Sequence, residues 1–292
     1  AFAPPHANER RGREDWRDHL AFTIDPEDDR DHDDALSVTA AGHGRWEVGI
    51  HIADVSHYVP PGSALDREAG RRGTSCYLPG AVVPMLPEAL SSGLCSLRPE
   101  EDRLALSVVV KLDADGELHG VRFAETVIRS RHRLDYGRVQ RALDGKEPLP
   151  APLQHAIETV RTLARALRAR RLAHGALQLE VAEVKAWVDP QGVPVRVERR
   201  PHLESHELIE EFMLLANRCV GAEGARRESG MLYRVHERPL ERKLADLDRM
   251  LKTLGLPRLG DLRDPAHALQ SLLRVQLDPP HRRLLHRLAL RA

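Results

Sequence analysis

The chain has 292 residues, enough for one large domain or two small ones with a full core. Its 44 basic and 44 acidic side chains cancel, which removes the overall basic footprint of a nucleic-acid binder, so any polyanion site must come from local segregation of charge. No stretch approaches the ~18 apolar residues of a membrane span and no signal peptide opens the chain, so no membrane partner is expected. Three cysteines without metal-ligand spacing, Cys76, Cys95 and Cys219, fit a reducing cytoplasm, and a cytoplasmic monomer is the expectation.

Residues 1–20 are rich in Pro, Arg and Asp without periodicity, and read as a linker or the remnant of an upstream segment. Next comes Asp25-Pro-Glu-Asp-Asp-Arg-Asp-His-Asp-Asp34, with seven acidic side chains in ten residues, opposed only by Arg30 and His32. Short apolar segments, Ala21–Ile24 and Ala35–Val38, pin this run on both sides, which a solvated charge run does not need. Carboxylates this close raise one another's pKa unless a cation sits among them. Hard divalent ions take oxygen ligands, and Mg²⁺ is held by a few carboxylates while substrate phosphates complete its shell. Mg²⁺, with Mn²⁺ as a substitute, is therefore the expected cofactor. An EF-hand loop fails, because it needs Gly at Asp34 and Glu at Ala40. A metal-free acidic interaction loop stays open on the residues alone.

Trp46, Val48, Ile50 and Ile52 alternate with Glu47, Gly49 and His51, the pattern of a strand with one buried face. Leu104–Leu112 and Leu118–Ile128 predict a hairpin turning at Asp113-Ala-Asp-Gly116, and Trp187–Val188 and Val193–Val197 another around Asp189-Pro-Gln-Gly192. Helical patterns cover roughly 150–173, 203–222, 240–254 and 264–275. Strands early and helices late predict an α+β fold, a mixed sheet with packed helices. Arg122, Arg129, Arg131, Arg133, Arg138 and Arg141 face only Glu125 and Asp135 within 122–141. With Arg161, Arg165 and Arg168 on one helical stripe, they form a candidate basic track toward the acidic loop, or simply a solvated face.

Four ordered segments resemble the ribonuclease II / ribonuclease R family of exoribonucleases. They are Thr23–Leu36, Val48–Val59, Arg72–Pro79 continuing through Val83–Pro87 and Leu90–Leu97, and His206–Asn217. The resemblance implies that 21–292 form the N-terminal two-thirds of an RNB-type catalytic domain. Two later family motifs, one carrying an arginine for the scissile phosphate, would follow beyond Ala292. It implies hydrolytic, processive 3′→5′ degradation of single-stranded RNA, not DNA, to nucleoside 5′-monophosphates. The rival is a non-catalytic RNA-binding relative of the same fold.

By the same resemblance Asp25, Asp31, Asp33 and Asp34 are the metal and catalytic carboxylates, and Tyr136 is a catalytic-site tyrosine near the scissile phosphate. Tyr77 would stack on RNA near its 3′ end, Leu179 would take the second base-clamping position, and Glu210 would contact a ribose 2′-hydroxyl. A 2′-hydroxyl contact is how a protein tells RNA from DNA. From the residues alone, both tyrosines read as core and Glu210 as a solvated helix glutamate. Asp54 reads equally well as a cap. Glu210 and Asn217, seven apart, share a helix stripe opposite Leu208, Phe212, Leu215 and Cys219.

Overall fold

A computed structural model describes residues 5, 8–179, 183–235 and 237–291. The chain divides into two compact units. One comprises Ala1–Leu167, Lys185–Glu198 and His202–Ser229, and the other Arg168–Val184, Arg199–Pro201 and Gly230–Ala292.

In the first unit β1 (Glu14–Asp25), β2 (Asp34–Gly42), β3 (Arg45–Ala53), β6 (Asp102–Asp113) and β7 (Leu118–Asp135) close into a barrel in that order. Between β3 and β6 lie the short helices α1 (Val55–Tyr58) and α2 (Ala64–Arg72), the hairpin β4 (Cys76–Leu78) and β5 (Ala81–Val83), and a wide helical turn over Ala89–Leu94. Adjacent barrel strands run antiparallel except at closure, where β1 pairs parallel with β7 in a register that sets Thr23 opposite Arg133 and Asp25 opposite Asp135. The mixed sheet with packed helices is thus present.

Side-chain parity explains the packing, since alternate residues of a strand face opposite sides of the sheet. Phe22, Ile24, Leu36, Val48, Ile50, Val108, Val110 and Leu112 face outward. They pack against α3 (Tyr136–Leu143), α4 (Ala151–Ala173) and α5 (Glu204–Arg226) through Val139, Ile157, Val160, Leu163 and Phe212. The other face carries Ala35, Ser37, Gly49, His51, Ala53, Ala105 and Ser107, small enough to fill a narrow barrel. One buried face was expected for the 46–52 strand. Both are buried, because closure encloses the His51 side as well.

The expected linker over residues 1–20 is corrected from Glu14 onward, where β1 begins. Trp16 is 5% exposed, and Arg13 reaches Asp54 at 2.6 Å with both side chains buried. This stretch escapes a periodicity reading because parallel pairing at a barrel seam, with a register shift between Trp16 and Ala21, breaks the alternation. Asp54 proves to be a cap: its carboxylate accepts from the His57 backbone N–H at the start of α1.

A two-stranded sheet of β8 (Glu183–Val188) and β9 (Pro194–Arg200) matches the second expected hairpin. In the second unit α6 (Glu241–Thr253), α7 (Pro265–Leu273) and α8 (Pro279–Arg291) gather Leu244, Leu247, Leu251, Leu269, Leu272 and Leu285 into a separate core. Leu177 and Leu179 pack on that core, and Gln270 donates to the carbonyls of Leu172 and Ala176.

Candidate active site

The acidic run becomes the connection between β1 and β2. Asp25 ends β1 and Asp34 begins β2, so neighbouring barrel strands hold both ends of the loop. Asp25 is buried and Asp34 half-buried, while Asp33 keeps an open face to solvent. The Oδ2 atoms of Asp25 and Asp34 are both buried without a hydrogen-bond partner among the described residues. His32 Nδ1 lies 2.9 Å from Asp25 Oδ2 but is not aligned as a hydrogen bond.

The carboxylates raise one another as their spacing predicts. Burial pushes Asp34 up to about 7, with Asp25 and Asp33 adding repulsion. Asp31 is pushed up to about 6, first by a side-chain hydrogen bond with Asp29 and then by burial. Burial also raises Asp33, reinforced by Asp29 and Asp25. Such a set is strained without a cation and suited to one. Oxygen-only donors, two of them buried and unpartnered, fit a hard divalent ion. Among the described residues no three His, Cys, Asp or Glu side chains already converge on one ion position. The carboxylates are neighbours, not a finished cage.

Several groups outside the loop hold it. Ser96 Oγ accepts from the His32 N–H and donates to the Arg30 carbonyl, each at 3.1 Å, and the Leu97 N–H donates to the His32 carbonyl at 2.8 Å. Arg133, on β7, donates to the carbonyls of Glu27 at 2.9 Å and Asp29 at 3.0 Å. Lys185 on β8 pairs with Asp28 and lies over the Trp187 ring. Sequence reasoning gave none of these three a role at the loop. Ser96 stood inside a quoted motif and Arg133 inside the arginine stripe, but contacts to a distant backbone leave no local signal.

Tyr136 opens α3 directly after β7, so the strand paired with β1 also delivers the tyrosine. Burial raises its hydroxyl above the usual tyrosine range, and the charges of Asp25 and Asp34 add to this. Its ring stacks on His206 of α5, with centroids 4.0 Å apart, and His206 stacks in turn on His202 at 5.5 Å. The Leu203 N–H donates to His206 Nδ1, fixing that imidazole at the start of α5. Glu210 is exposed on the same helix, 3.6 Å from His202 Nε2. Asn217 is exposed with it, while Leu208, Phe212, Leu215 and Cys219 are buried, the predicted division of the helix.

Tyr77 on β4 is 70% exposed, so it is no core residue. Partial burial first, and then Asp31 and Asp29, raise its hydroxyl, which places it within electrostatic reach of the loop. Leu179 lies in the second unit and faces that unit's own core. The proposed basic track is largely spent on ion pairs. Arg122 pairs with Glu14, Arg129 with Asp102, Arg131 with Glu100, Arg138 and Arg141 with Glu147, and Arg161 and Arg165 with Glu204.

Four aspartates thus share one strand-to-strand connection, and Tyr136 opens the helix that follows the strand paired with β1. Residues 13–292 match the RNB domain family, and the chain belongs to it. It is 41% identical over 261 residues to DIS3-like exonuclease 2 of Schizosaccharomyces pombe, covering 85% of this chain and 28% of that protein. To Ribonuclease R of Thermotoga maritima it is 40% identical over 284 residues, 96% of this chain and 40% of the relative. Mycoplasma genitalium RNase R in complex with double-stranded RNA superposes with a TM-score of 0.94 at 30% identity, over 99% of this chain and 52% of that one. Yeast Ssd1, a pseudonuclease, shares the fold with a TM-score of 0.76 at 21% identity. The chain therefore spans well under two-thirds of these relatives. Among the described residues no helix is long and apolar enough to cross a membrane.

Proposed function

We propose that this chain carries the carboxylate half of a 3′→5′ exoribonuclease site, which hydrolyses single-stranded RNA to nucleoside 5′-monophosphates with Mg²⁺. The observation that carries the reading is the mutually raised carboxylate set at the β1–β2 connection, with Asp25 Oδ2 and Asp34 Oδ2 buried and unpartnered. A bound divalent ion would neutralise charge on the phosphate and lower the pKa of the attacking water. Asp25, Asp31, Asp33 and Asp34 would hold it. Tyr136, kept neutral and oriented by its stack on His206, would donate a hydrogen bond to the scissile phosphate. Tyr77 would offer an exposed ring for base stacking, which tolerates any sequence. Glu210 would accept from a ribose 2′-hydroxyl, and Leu179 would supply the second base contact. A cytoplasmic monomer acting without a DNA substrate completes the proposal.

The rival reading, a non-catalytic RNA binder, keeps the fold but has no need of four aspartates, and all four are here. Asp33→Asn and Asp34→Asn, made in the full-length protein, separate the two. Single-turnover cleavage should collapse while RNA binding in chelator is retained. Wild-type cleavage in both variants would sink the assignment.

A further inference from the structure

Within the arginine-rich stretch of β7, Arg133 behaves unlike its neighbours. Arg122, Arg129 and Arg131 each pair with a carboxylate, whereas Arg133 makes no salt bridge among the described residues. It donates instead to two backbone carbonyls of the acidic loop, those of Glu27 and Asp29. Those carbonyls flank the tip of a turn closed by the Asp29 N–H donating to the Pro26 carbonyl at 3.0 Å. One guanidinium thus grips both sides of the turn leading into Asp31. Its placement follows from the barrel seam. Arg133 sits opposite Thr23 in the β1–β7 ladder, two residues short of Asp25.

The physical need for such a grip is plain. Seven acidic side chains on one loop repel one another and drive it to expand, so ligand geometry must be imposed from outside. Arginine suits this task, because its planar fork offers five donors in fixed directions and it stays charged at any working pH. A carbonyl-directed cation draws the loop inward without competing for the carboxylate oxygens. Ser96 likewise binds the loop through its backbone, accepting from the His32 N–H and donating to the Arg30 carbonyl.

We infer that Arg133 is a positioning residue for the acidic loop: its guanidinium holds the 27–29 turn so that the loop's carboxylates present a divalent-ion site. The inference rests on the metal-site reading above and assigns Arg133 no contact with RNA. Residues that orient metal ligands from behind typically govern about 10–100-fold of metal affinity.

The test uses Mn²⁺ alone, titrated into the full chain and followed by the electron paramagnetic resonance signal of free ion. Arg133→Met keeps the aliphatic stem and should weaken Mn²⁺ binding by about 10-fold or more. Arg133→Lys, which keeps the charge but has no fork, should fall between Met and wild type. RNA affinity in chelator should be unchanged in both, and the Mg²⁺ concentration for half-maximal cleavage should rise in the same order. Unaltered Mn²⁺ affinity in both variants would overturn the inference. So would an RNA-binding loss at unaltered Mn²⁺ affinity, which would make Arg133 a phosphate contact. A wild-type chain that bound no Mn²⁺ at all would instead overturn the metal-site reading, and the inference with it. Should Arg133→Met fail to fold, Arg133→Lys and Ser96→Ala decide the matter by the same titration.

Discussion

Two polar clusters lie on the same barrel, and they differ in one respect: whether their buried atoms have partners. Inside the barrel, His51 accepts or donates at both ring nitrogens, to Ser37 at 3.0 Å and Ser107 at 2.7 Å, and Ser107 continues to Thr126 at 2.7 Å. At the β1–β2 connection, Asp25 Oδ2 and Asp34 Oδ2 are buried with no hydrogen bond among the described residues, amid acidic neighbours opposed chiefly by His32. Buried polar groups are ordinarily hydrogen-bonded, and an unpartnered one costs about 1–3 kcal/mol. The closed network specifies the barrel. The open one stores unfavourable free energy that a ligand can relieve, and this marks the site more sharply than burial or charge alone.

The largest expected effect breaks the open cluster's function while helping its stability. Asp34→Asn should slow cleavage by at least about 10²–10³-fold, the scale on which losing one charge-stabilising group acts. The same variant should stabilise the metal-free protein by about 2 kcal/mol at pH 8. This figure is discounted for partial solvent access from the roughly 4 that a rise from 3.8 to about 7 implies. A carboxyl raised in the folded state contributes stability when protonated and loses it as pH climbs through about 7. The advantage of Asp34→Asn over wild type should therefore shrink as pH falls from 8 to 5. Thermal melts in chelator at several pH values check this, and a pH-independent difference would contradict it.

The closed cluster should respond in the opposite sense. His51→Ala strands the buried Ser37 hydroxyl, takes one of two partners from Ser107 and leaves a cavity, and should cost about 2–4 kcal/mol, measured by denaturant unfolding, with RNA affinity of the folded fraction kept. Burial holds His51 down at about 3, below its ordinary 6.5. Its neutral form thus contributes stability present above pH 6.5 and lost progressively as pH falls toward 3. In wild type this loss offsets the carboxylate gain over the same range. In Asp34→Asn it should stand exposed as a steeper acid destabilisation below pH 6.5.

Gly49→Ala sharpens the comparison further. An added Cβ would meet His51 Nε2 at 2.6 Å and Ser37 Oγ at 2.7 Å, so about 1–3 kcal/mol of stability should be lost. No comparable change is expected from Tyr77→Ala, because that ring is already in solvent. Its cost should appear in RNA binding instead, as about 1–3 kcal/mol in a homopolymer titration. If Tyr77→Ala lowered the melting temperature and left RNA affinity alone, the stacking role would be wrong. The smallest effect belongs to Glu210→Ala, about 1 kcal/mol from RNA affinity with DNA unaffected. Glu211 makes a poor control, since it is buried where Glu210 is exposed. Glu207→Ala on the same helix is the better comparison.

Several features were legible without coordinates because they are local. The acidic run, the two hairpin turns and the α5 face bearing Glu210 and Asn217 each follow from spacing along one segment. Pairing across the barrel seam was not legible. Nothing near Trp16 announces a parallel partner more than a hundred residues away, so a strand was read as linker. The pairing of the arginine stripe was not legible for a related reason. Which oxygen an arginine meets depends on what the fold brings beside it, and Glu14, Asp102 and Glu204 neutralise most of that stripe.

The sequence by itself determined the side-chain inventory, because residue type and close spacing are local properties: carboxylates crowded at Asp25–Asp34, and Tyr77 and Tyr136 among only four tyrosines. Only the tertiary structure decided which polar atoms are satisfied. Closure of β1 against β7 sealed His51 with its hydroxyls and stacked Tyr136 on His206. It also set Arg133 against the carbonyls of Glu27 and Asp29, with Asp25 Oδ2 and Asp34 Oδ2 buried and without a hydrogen bond among the described residues. Burial and hydrogen bonding depend on distances between segments remote in the chain, and folding alone sets those.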